Sequence, residues 1–424
     1  MLDRSLPPLV QSVPFVFRKP AVQRLSNWIP LYVIEANGVD AVRIDFVFDA
    51  GQWHQVQRLQ ALFTCRMLRE GCRGYSASAF AERIDFYGAW LELSVAMNRT
   101  FVTLYTLRKF FDHTITLLHE MLLSPTFSEE QLNVVRENNK AQFMVNIQKG
   151  DVRAMRALRQ SIYGNEHPCG VPTEVEDYDR LHKGVLADFY HRYYGSSHCS
   201  IYLSGAIDEG VLARVESLFG TEGWGSTCAV EARDYPIHSS GQRQITIVQP
   251  DALQSSIRMG CLLMDVRDED YLPMRVLTTV LGGYFGSRLM KNVREEKGYT
   301  YHISADLVTN TPQVMFMVAC EALSDKADEV IGEVHREICR LQTELVGDDE
   351  LCMVRNYMIG EFCRNYESAF ALSDAYIFLE HFGLPVTHLE DTINSIHTTD
   401  ASRLQQLAQQ YLRPENLHCV VVHS

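Results

Sequence analysis

The chain has 424 residues, which is too long for one typical hydrophobic core and suits two domains of roughly 200 residues each. Hydrophobic residues make up 46% and charged residues 22%, as in ordinary folded proteins, and no uninterrupted apolar run is long enough to cross a membrane. The net charge of −14 repels phosphate backbones, so nucleic acid is a poor partner. This acidity could attract basic peptides, although it also favours solubility.

The first 15 residues lack the basic start and the continuous apolar core of a signal peptide. Eleven cysteines are scattered along the chain without the paired spacing of a metal site, and the closest two are Cys65 and Cys72. An odd number of cysteines without a secretion signal indicates reduced thiols. We therefore expect a cytoplasmic protein that does not enter a membrane.

The predicted elements occur twice in the same order. The first set begins with a strand at 42–51 and ends with one at 198–208, and the second set begins at 256–265 and ends at 418–424. Between these ends, each set contains a helix that leads into a glycine-containing stretch, two strands, an amphipathic helix and a helix with an acidic start. The repeated order predicts an internal duplication.

Each unit is expected to be an α+β layer structure, in which helices pack mainly on one face of a mostly antiparallel sheet. The segment at 220–243 is rich in Gly, Ser and charge, so it is the natural linker. The predicted organisation is an N-terminal domain at 1–222, a linker at 223–243 and a C-terminal domain at 244–424.

Two segments carry a family resemblance. Residues 163–208 contain Tyr-Gly, His-Pro and Gly-x-Pro steps, a helix that ends in paired tyrosines and a strand that closes in Gly. Residues 286–305 contain an Arg that is followed seven residues later by a Tyr. In both segments the chain resembles the insulinase/pitrilysin/mitochondrial-processing-peptidase family of zinc metallopeptidases, in its bacterial two-domain form. The resemblance implies two homologous domains that face each other as half of a clam-like chamber.

Catalytic members of this family carry His-x-x-Glu-His on a first-half helix, where two histidines hold zinc and the Glu activates the zinc-bound water. The corresponding helix here spans 59–71. The resemblance maps the five motif positions onto Leu62, Phe63, Thr64, Cys65 and Arg66. Both histidines and the Glu are therefore missing. The later ligand position falls near Gln142 or Phe143, which also lack a carboxylate, so we expect no zinc in this chain.

Other residues near this helix do not supply a metal site. His54 has no companion four residues away, and His119 and Glu120 are adjacent but lack a second His at helical spacing. We expect ordinary surface or half-buried roles for both histidines. Cys65 has no nearby His at helical spacing to activate it, so we expect a small core residue and not a nucleophile.

The second half keeps the family's Arg/Tyr positions at Arg294 and Tyr301. We expect the helix that carries Arg294 to stop at Gly298, because glycine adopts a left-handed conformation at low cost. The resemblance implies that the Tyr stabilises the tetrahedral intermediate of peptide hydrolysis and that the Arg orients the peptide. An alternative is that Arg294 pairs with Glu295 or Glu296 and that Tyr301 is a core or strand residue.

The retained pair and the missing motif predict a non-catalytic, substrate-binding subunit of a heterodimeric zinc endopeptidase. The resemblance implies that a zinc-bearing homologous partner carries the metal and that this chain contributes Arg294 and Tyr301 to a composite active site. The substrate would be a peptide extended along a sheet edge, and the candidate edge in the first half is 89–94. The chain is expected to hold no cofactor itself and to be inactive on its own.

Three alternatives stay open. The chain could be a catalytically inert structural or scaffold homologue, although a scaffold has no stated need for an Arg/Tyr pair. It could be an independent peptidase with another site, for which the candidates are His167 with Cys169 and His198 with Cys199. If these residues lie in strands, neighbouring side chains point to opposite faces and do not easily share a metal. The chain could also form a homodimer.

Overall fold

The computed structural model describes residues 17–226, 233–250 and 252–424. The predicted linker is therefore only partly described, and the segment at 1–15, on which the signal-peptide prediction rests, lies outside the described residues. Within the described residues, most strands belong to two large sheets. The strands of the first sheet lie between 21 and 205, and those of the second lie between 244 and 423.

Thirteen strands occur in the described residues. In the first half they are β1 (Ala21–Arg24), β2 (Pro30–Glu35), β3 (Ala41–Phe48), β4 (Gly71–Cys72), β5 (Tyr75–Ser76), β6 (Trp90–Val95), β7 (Thr100–Leu107) and β8 (Cys199–Gly205). In the second half they are β9 (Gln244–Val248), β10 (Gln254–Asp265), β11 (Thr300–Val308), β12 (Gln313–Leu323) and β13 (His418–His423). The short strands β4 and β5 form a separate two-stranded sheet.

Fourteen α-helices occur in the same described residues. In the first half they are α1 (Gln60–Met67), α2 (Ala77–Phe86), α3 (Phe111–Leu123), α4 (Glu129–Asn146), α5 (Gly150–Tyr163), α6 (Val175–Asp179), α7 (Lys183–Tyr193) and α8 (Glu209–Val215). In the second half they are α9 (Tyr271–Gly282), α10 (Ala327–Thr343), α11 (Asp348–Asn365), α12 (Ala369–Phe382), α13 (His388–Thr398) and α14 (Ala401–Tyr411). A wide helical turn of the π type spans Met290–Glu296.

The two large sheets repeat the same strand order. The order β6-β7-β3-β8-β2 in the first sheet corresponds to β11-β12-β10-β13-β9 in the second, and β1 is an additional strand beside β2. Neighbouring strands are antiparallel except β2 with β8 and β9 with β13, and these two parallel pairs stand at the same place in the two sheets. The predicted fold class, two homologous α+β units with mostly antiparallel sheets, is confirmed.

One face of each sheet packs against helices of its own half, because those helices present an apolar stripe. In α10 the buried residues Val330, Val334, Ile338 and Leu341 recur at three- and four-residue spacing, which places them on one side of the helix. They join the core of the second sheet. The corresponding core of the first sheet contains residues from α1, α3 and α7.

The other face of each sheet is covered by a helix from the opposite half. Ala154 and Leu158 of α5, a first-half helix, pack with Val420 of the second sheet. Leu372 of α12, a second-half helix, packs with Tyr202 of the first sheet. Successive strand residues point to opposite faces of the sheet. Because helices cover both faces of the first sheet, β3 is buried along almost its whole length.

Two further features concern the class of protein. No helix in the part of the chain that the structure describes is long and apolar enough to cross a membrane. The ten cysteines of the described residues are all free of disulfides, and the eleventh, Cys228, lies outside those residues.

Candidate functional site

The helix at the zinc-motif position, α1, is packed into the first core. Phe63 and Thr64 are fully buried, and Leu62 packs against the same core from its half-buried position. Gln60 ties the helix to its neighbour α7, because its Nε2 donates to the backbone oxygen of Val185 at 2.9 Å. The side chains that stand in place of the motif therefore serve packing in the first half.

Arg66, at the place of the second histidine, contacts the long helix α4. Its guanidinium donates to the side-chain oxygen of Asn139, whose Nδ2 donates to the backbone oxygen of Val135 at 2.6 Å. The α4 residue bonded to the motif helix is thus Asn139, three residues before the predicted Gln142, while Phe143 packs on another side chain. A guanidinium offers only donors, so Arg66 cannot serve as a metal ligand.

Cys65, which the resemblance places at the position of the catalytic Glu, is a core residue, as predicted. It is 1% exposed, and burial raises the pKa of its thiol to about 12. Its Sγ lies 4.0 Å from the backbone oxygen of Ser94 on β6. Because the thiolate is the reactive form of cysteine, this thiol is inert near neutral pH.

The segment that carries Arg294 ends as the sequence predicts. The N–H of Gly298 donates to the backbone oxygen of Arg294 at 3.2 Å, and Gly298 has a φ of +66°. An added Cβ at this glycine would meet no atom within 4 Å, so only the backbone conformation requires glycine here. The chain then turns into β11, whose second residue is Tyr301.

Arg294 and Tyr301 lie side by side on the surface of the second half. The guanidinium carbon of Arg294 is 5.0 Å from the ring centroid of Tyr301 and 4.6 Å from that of Phe285, so it lies against two aromatic faces. Tyr301 is 82% exposed and Phe285 is 61% exposed. The sequence analysis did not identify Phe285, and its position beside the glycines at 282–283 and 286 is the only local signal for it.

The polar groups of Arg294 and Tyr301 have no polar partner among the described residues. Neither the guanidinium of Arg294 nor the hydroxyl of Tyr301 has a hydrogen bond or an ion pair there, so the alternative pairing of Arg294 with Glu295 or Glu296 is not observed. The high exposure of Tyr301 also excludes the alternative of a core tyrosine, whereas Tyr299 packs against the second core. Both donors are therefore available to a ligand.

A cavity of about 570 Å³ opens beside the pair, and we call it the Arg294 cavity. Its wall includes Gly283, Phe285, Arg294, Tyr301 and Asp306. The strand β11 forms part of this wall and is an edge strand, because its only strand neighbour in the described residues is β12. An unpaired strand edge can add an extended peptide through main-chain hydrogen bonds.

The corresponding edge of the first sheet is β6. The predicted strand at 89–94 is confirmed as Trp90–Val95, and its only strand neighbour in the described part of the chain is β7. Trp90 and Ser94 are exposed, as alternate residues of an edge strand are. This edge lies beside Cys65 and not beside any histidine of a metal motif.

The two His/Cys pairs do not form a second active site. His167 and Cys169 lie between α5 and α6 and not in a strand, and the ring nitrogen Nδ1 of His167 accepts from the backbone N–H of Cys169 at 3.1 Å. Burial raises the pKa of Cys169 to about 11 and raises the pKa of Cys199 well above its usual value. Both cysteines are therefore protonated near neutral pH, and neither pair is an activated nucleophile. Among the described residues, no group of three or more His, Cys, Asp or Glu side chains is arranged to hold a metal ion.

Relatives of known sequence share this organisation. Residues 180–358 match the family model described as Peptidase M16 inactive domain. The "Uncharacterized zinc protease YmxG" of Bacillus subtilis is 24% identical over 389 residues, which cover 89% of this chain and 92% of that protein. The "Non-peptidase homolog YmxG" of Helicobacter pylori is 21% identical over 368 residues, which cover 85% of this chain and 83% of that protein.

Solved structures share the fold over nearly the whole chain. A peptidase M16 inactive domain from Pseudomonas fluorescens superposes with a TM-score of 0.83 at 20% identity, covering 95% of this chain and 98% of that one. A protease from Helicobacter pylori superposes with a TM-score of 0.86 at 14% identity, covering 96% of this chain and all of that one, 100%. The predicted resemblance to the insulinase/pitrilysin/mitochondrial-processing-peptidase family of zinc metallopeptidases is thereby confirmed.

Proposed function

We propose that this chain is the non-catalytic, substrate-binding subunit of a heterodimeric zinc endopeptidase. The observation that carries the proposal is the contrast between the two halves. In the second half, Arg294 and Tyr301 lie side by side with unused donors at the start of an open edge strand. In the first half, Arg66 and Asn139 bond to each other where a catalytic relative would need zinc ligands.

The chemistry of peptide hydrolysis gives both donors a use. The tetrahedral intermediate carries a negative oxygen, and a rigid Tyr hydroxyl can donate to that oxygen. A guanidinium presents a fixed set of N–H donors that can hold a substrate carbonyl in place. Contact with the rings of Phe285 and Tyr301 restricts the Arg294 side chain before substrate arrives, so less conformational entropy is lost on binding.

The same proposal assigns the metal to the partner. A homologous subunit with an intact His-x-x-Glu-His helix would supply zinc, which activates the attacking water. This chain would bind no zinc, because its motif positions are Leu62, Cys65 and Arg66. We also propose that it works in the cytoplasm and that its domains span 1–222 and 244–424, joined by the linker 223–243. Free cysteines throughout the described residues support a reducing compartment.

The test is zinc content and peptide cleavage of the purified chain, first alone and then mixed with a homologue from the same genome that carries His-x-x-Glu-His. The expected result is no zinc and no cleavage alone, and cleavage on mixing that exceeds the cleavage by the homologue alone. Stoichiometric zinc and cleavage by the chain alone would contradict the proposal. A stable complex whose cleavage does not depend on this chain would instead favour a scaffold.

A further inference from the structure

The Arg294 cavity adjoins a second cavity lined by residues of the second half, and that cavity adjoins a third lined by residues of both halves. The second cavity, of about 500 Å³, shares Gly283 and Asp306 with the Arg294 cavity, and Arg275 of α9 lines it. The third cavity, of about 460 Å³, shares Thr309, Asp374 and Phe378 with the second, and Arg159 of α5 lines it. We call these three adjoining cavities the interdomain groove.

One arginine of each cavity has no polar partner. Arg159, Arg275 and Arg294 are half-buried, and in the described residues none of the three side chains makes a hydrogen bond or an ion pair. The other buried or half-buried arginines of the described chain all have such a bond, as Arg43 has with Asp374 and Arg288 has with Glu350. A guanidinium that has lost part of its hydration without gaining partners is a poor structural element and a good receptor for an anion.

The groove is basic although the chain is acidic. No Glu lines any of the three cavities, and the two aspartates that do are already engaged. Asp306 accepts from the hydroxyl of Ser304 at 2.9 Å, and Asp374 accepts from Nη1 of Arg43 at 3.0 Å. Three arginines therefore line the groove against two aspartates, of which Asp306 keeps its charge and Asp374 is paired with Arg43, so positive charge is in excess there although the chain has a net charge of −14.

The shape of the groove fits an extended chain. Each cavity alone is within the range of about 300–1,000 Å³ that a single small ligand fills, but the three adjoining cavities together are larger than one such site. β11 runs along the first two cavities, since Tyr301 lines one and Leu307 lines the other. A peptide paired with this edge would rise about 3.3 Å per residue along the cavities of Arg294 and Arg275, and the third cavity, lined by Arg159, adjoins the second.

We propose that the interdomain groove binds an acidic peptide segment, whose carboxylates are held by Arg275 and Arg159 beyond the Arg294–Tyr301 pair. The inference rests on the proposed function in naming a peptide as the ligand. The acidity of the whole chain could attract basic peptides, whereas the charge of the groove favours acidic ones. Charge-assisted hydrogen bonds from Arg to carboxylate are among the stronger polar contacts, and they select Glu and Asp over their neutral amides.

The test uses the full chain alone, without a partner or zinc. A fluorescein-labelled peptide of alternating Glu and Ala residues is titrated with the chain, and binding is followed by fluorescence anisotropy. The Gln/Ala and Lys/Ala versions of the peptide are titrated in parallel. The variants are Arg275→Gln and Arg159→Gln, and the control is Arg192→Gln, which removes the same charge from an exposed arginine on α7 that lines none of the three cavities.

The expected result is binding of the Glu/Ala peptide that is at least about tenfold tighter than binding of either other peptide, and a loss of about tenfold in each groove variant. Arg192→Gln should bind as the wild type does. Thermal unfolding of each variant checks that the fold is retained, which the absence of partners for these arginines leads us to expect. Equal binding of the Gln/Ala peptide, or an equal loss in Arg192→Gln, would overturn the inference.

The two proposals fail in different ways. If the chain binds the acidic peptide through Arg275 but never supports cleavage by a zinc-bearing homologue, the groove assignment stands and the subunit function is wrong. If cleavage on mixing depends on this chain but neutral and acidic peptides are bound and cut alike, the subunit function stands and the acidic preference is wrong.

Discussion

Arg43 of the first sheet is bonded to Asp374 of the exchanged helix α12, with Nη1 donating to Oδ2 at 3.0 Å. The same guanidinium donates to Oδ1 of Asp45, which is fully buried, at 2.8 Å. Arg43 therefore neutralises the carboxylate of Asp45 inside the first half and also bonds α12, a helix of the second half, to the first half. The two halves are joined by a polar contact as well as by the apolar packing of α12.

We predict that Arg43→Met lowers the free energy of unfolding at neutral pH by about 3–5 kcal/mol, because Asp45 is left as an unpaired buried charge. Asp374→Asn should cost about 1 kcal/mol or less, since the Asp374 side chain is largely exposed and Arg43 keeps its bond to Asp45. Urea unfolding of both variants measures the difference. Equal losses of unfolding free energy in the two variants would show that the Arg43–Asp45 pair contributes no more to stability than the Arg43–Asp374 pair.

The loss in Arg43→Met should depend on pH. Burial raises the pKa of Asp45 in the folded chain, and Arg43 opposes that rise, so its removal raises this pKa further. A carboxyl with a raised folded pKa binds protons more readily in the folded state, so stability falls as pH rises from the unfolded pKa of about 3.9 through the folded value. The deficit of Arg43→Met relative to the wild type should therefore shrink as the pH is lowered toward about 4. A deficit that is constant with pH would contradict this account.

Tyr301→Phe removes one hydroxyl from the proposed composite site and should lower the kcat of the reconstituted complex about 100-fold or more, as loss of an oxyanion donor does. Arg294→Ala should raise KM as well, because the guanidinium is proposed to hold a substrate carbonyl. Tyr299→Phe is the matched control, since Tyr299 is half-buried against the second core. Steady-state kinetics on one peptide measure kcat and KM. An unchanged kcat in Tyr301→Phe would contradict the proposal that this chain contributes Tyr301 to a composite active site.

Cys65 should be unreactive in the folded chain. Burial raises the pKa of its thiol to about 12, whereas Cys339 and Cys352 are exposed. Iodoacetamide at mildly alkaline pH should therefore label Cys339 and Cys352 first, and Cys65 only after unfolding in urea. Mass spectrometry of the labelled peptides measures the order. Early labelling of Cys65 would mean that α1 opens readily and that its core position is not stable.

The sequence was sufficient to predict the duplicated fold, because hydrophobic periodicity is local and the same pattern appears twice. It could not predict that α5 of the first half covers the second sheet or that α12 of the second half covers the first sheet. An amphipathic helix such as α5 shows which of its faces is apolar, but not which of two similar sheets that face will cover. The burial of β3 along almost its whole length, which the structure shows, indicates that both faces of the first sheet are covered.

Residues of the candidate site could be predicted from the sequence only where the type of residue at a position is enough to indicate its chemical role. From the sequence, the family resemblance predicts that Leu62, Cys65 and Arg66 replace the zinc-motif residues and that Arg294 and Tyr301 are the retained pair. The absence of polar partners for Arg159 and Arg275 could not be read from the sequence, because the partner of an arginine can be a residue that is distant along the chain. For the same reason, the contact of Arg66 with Asn139 was not found.

Gly298 sets the turn between Arg294 and Tyr301, so its replacement should affect activity more than stability. Gly298→Ala is expected to cost about 1 kcal/mol, since a Cβ at a φ of +66° strains the backbone even though no neighbouring atom lies within 4 Å. The strain would shift Tyr301 relative to Arg294 and lower turnover of the reconstituted complex. Thermal unfolding and steady-state kinetics measure the two effects separately.

The control is Gly332→Ala, in the interior of α10, where an added Cβ also meets no atom within 4 Å. Alanine is a better helix former than glycine, so this change should stabilise the chain by about 0.5–1 kcal/mol and leave turnover unaltered. If both glycine variants alter turnover alike, the effect is a general response to substitution in the second half. If only Gly298→Ala does, the backbone turn at Gly298 is what holds the Arg294–Tyr301 pair in its reactive geometry.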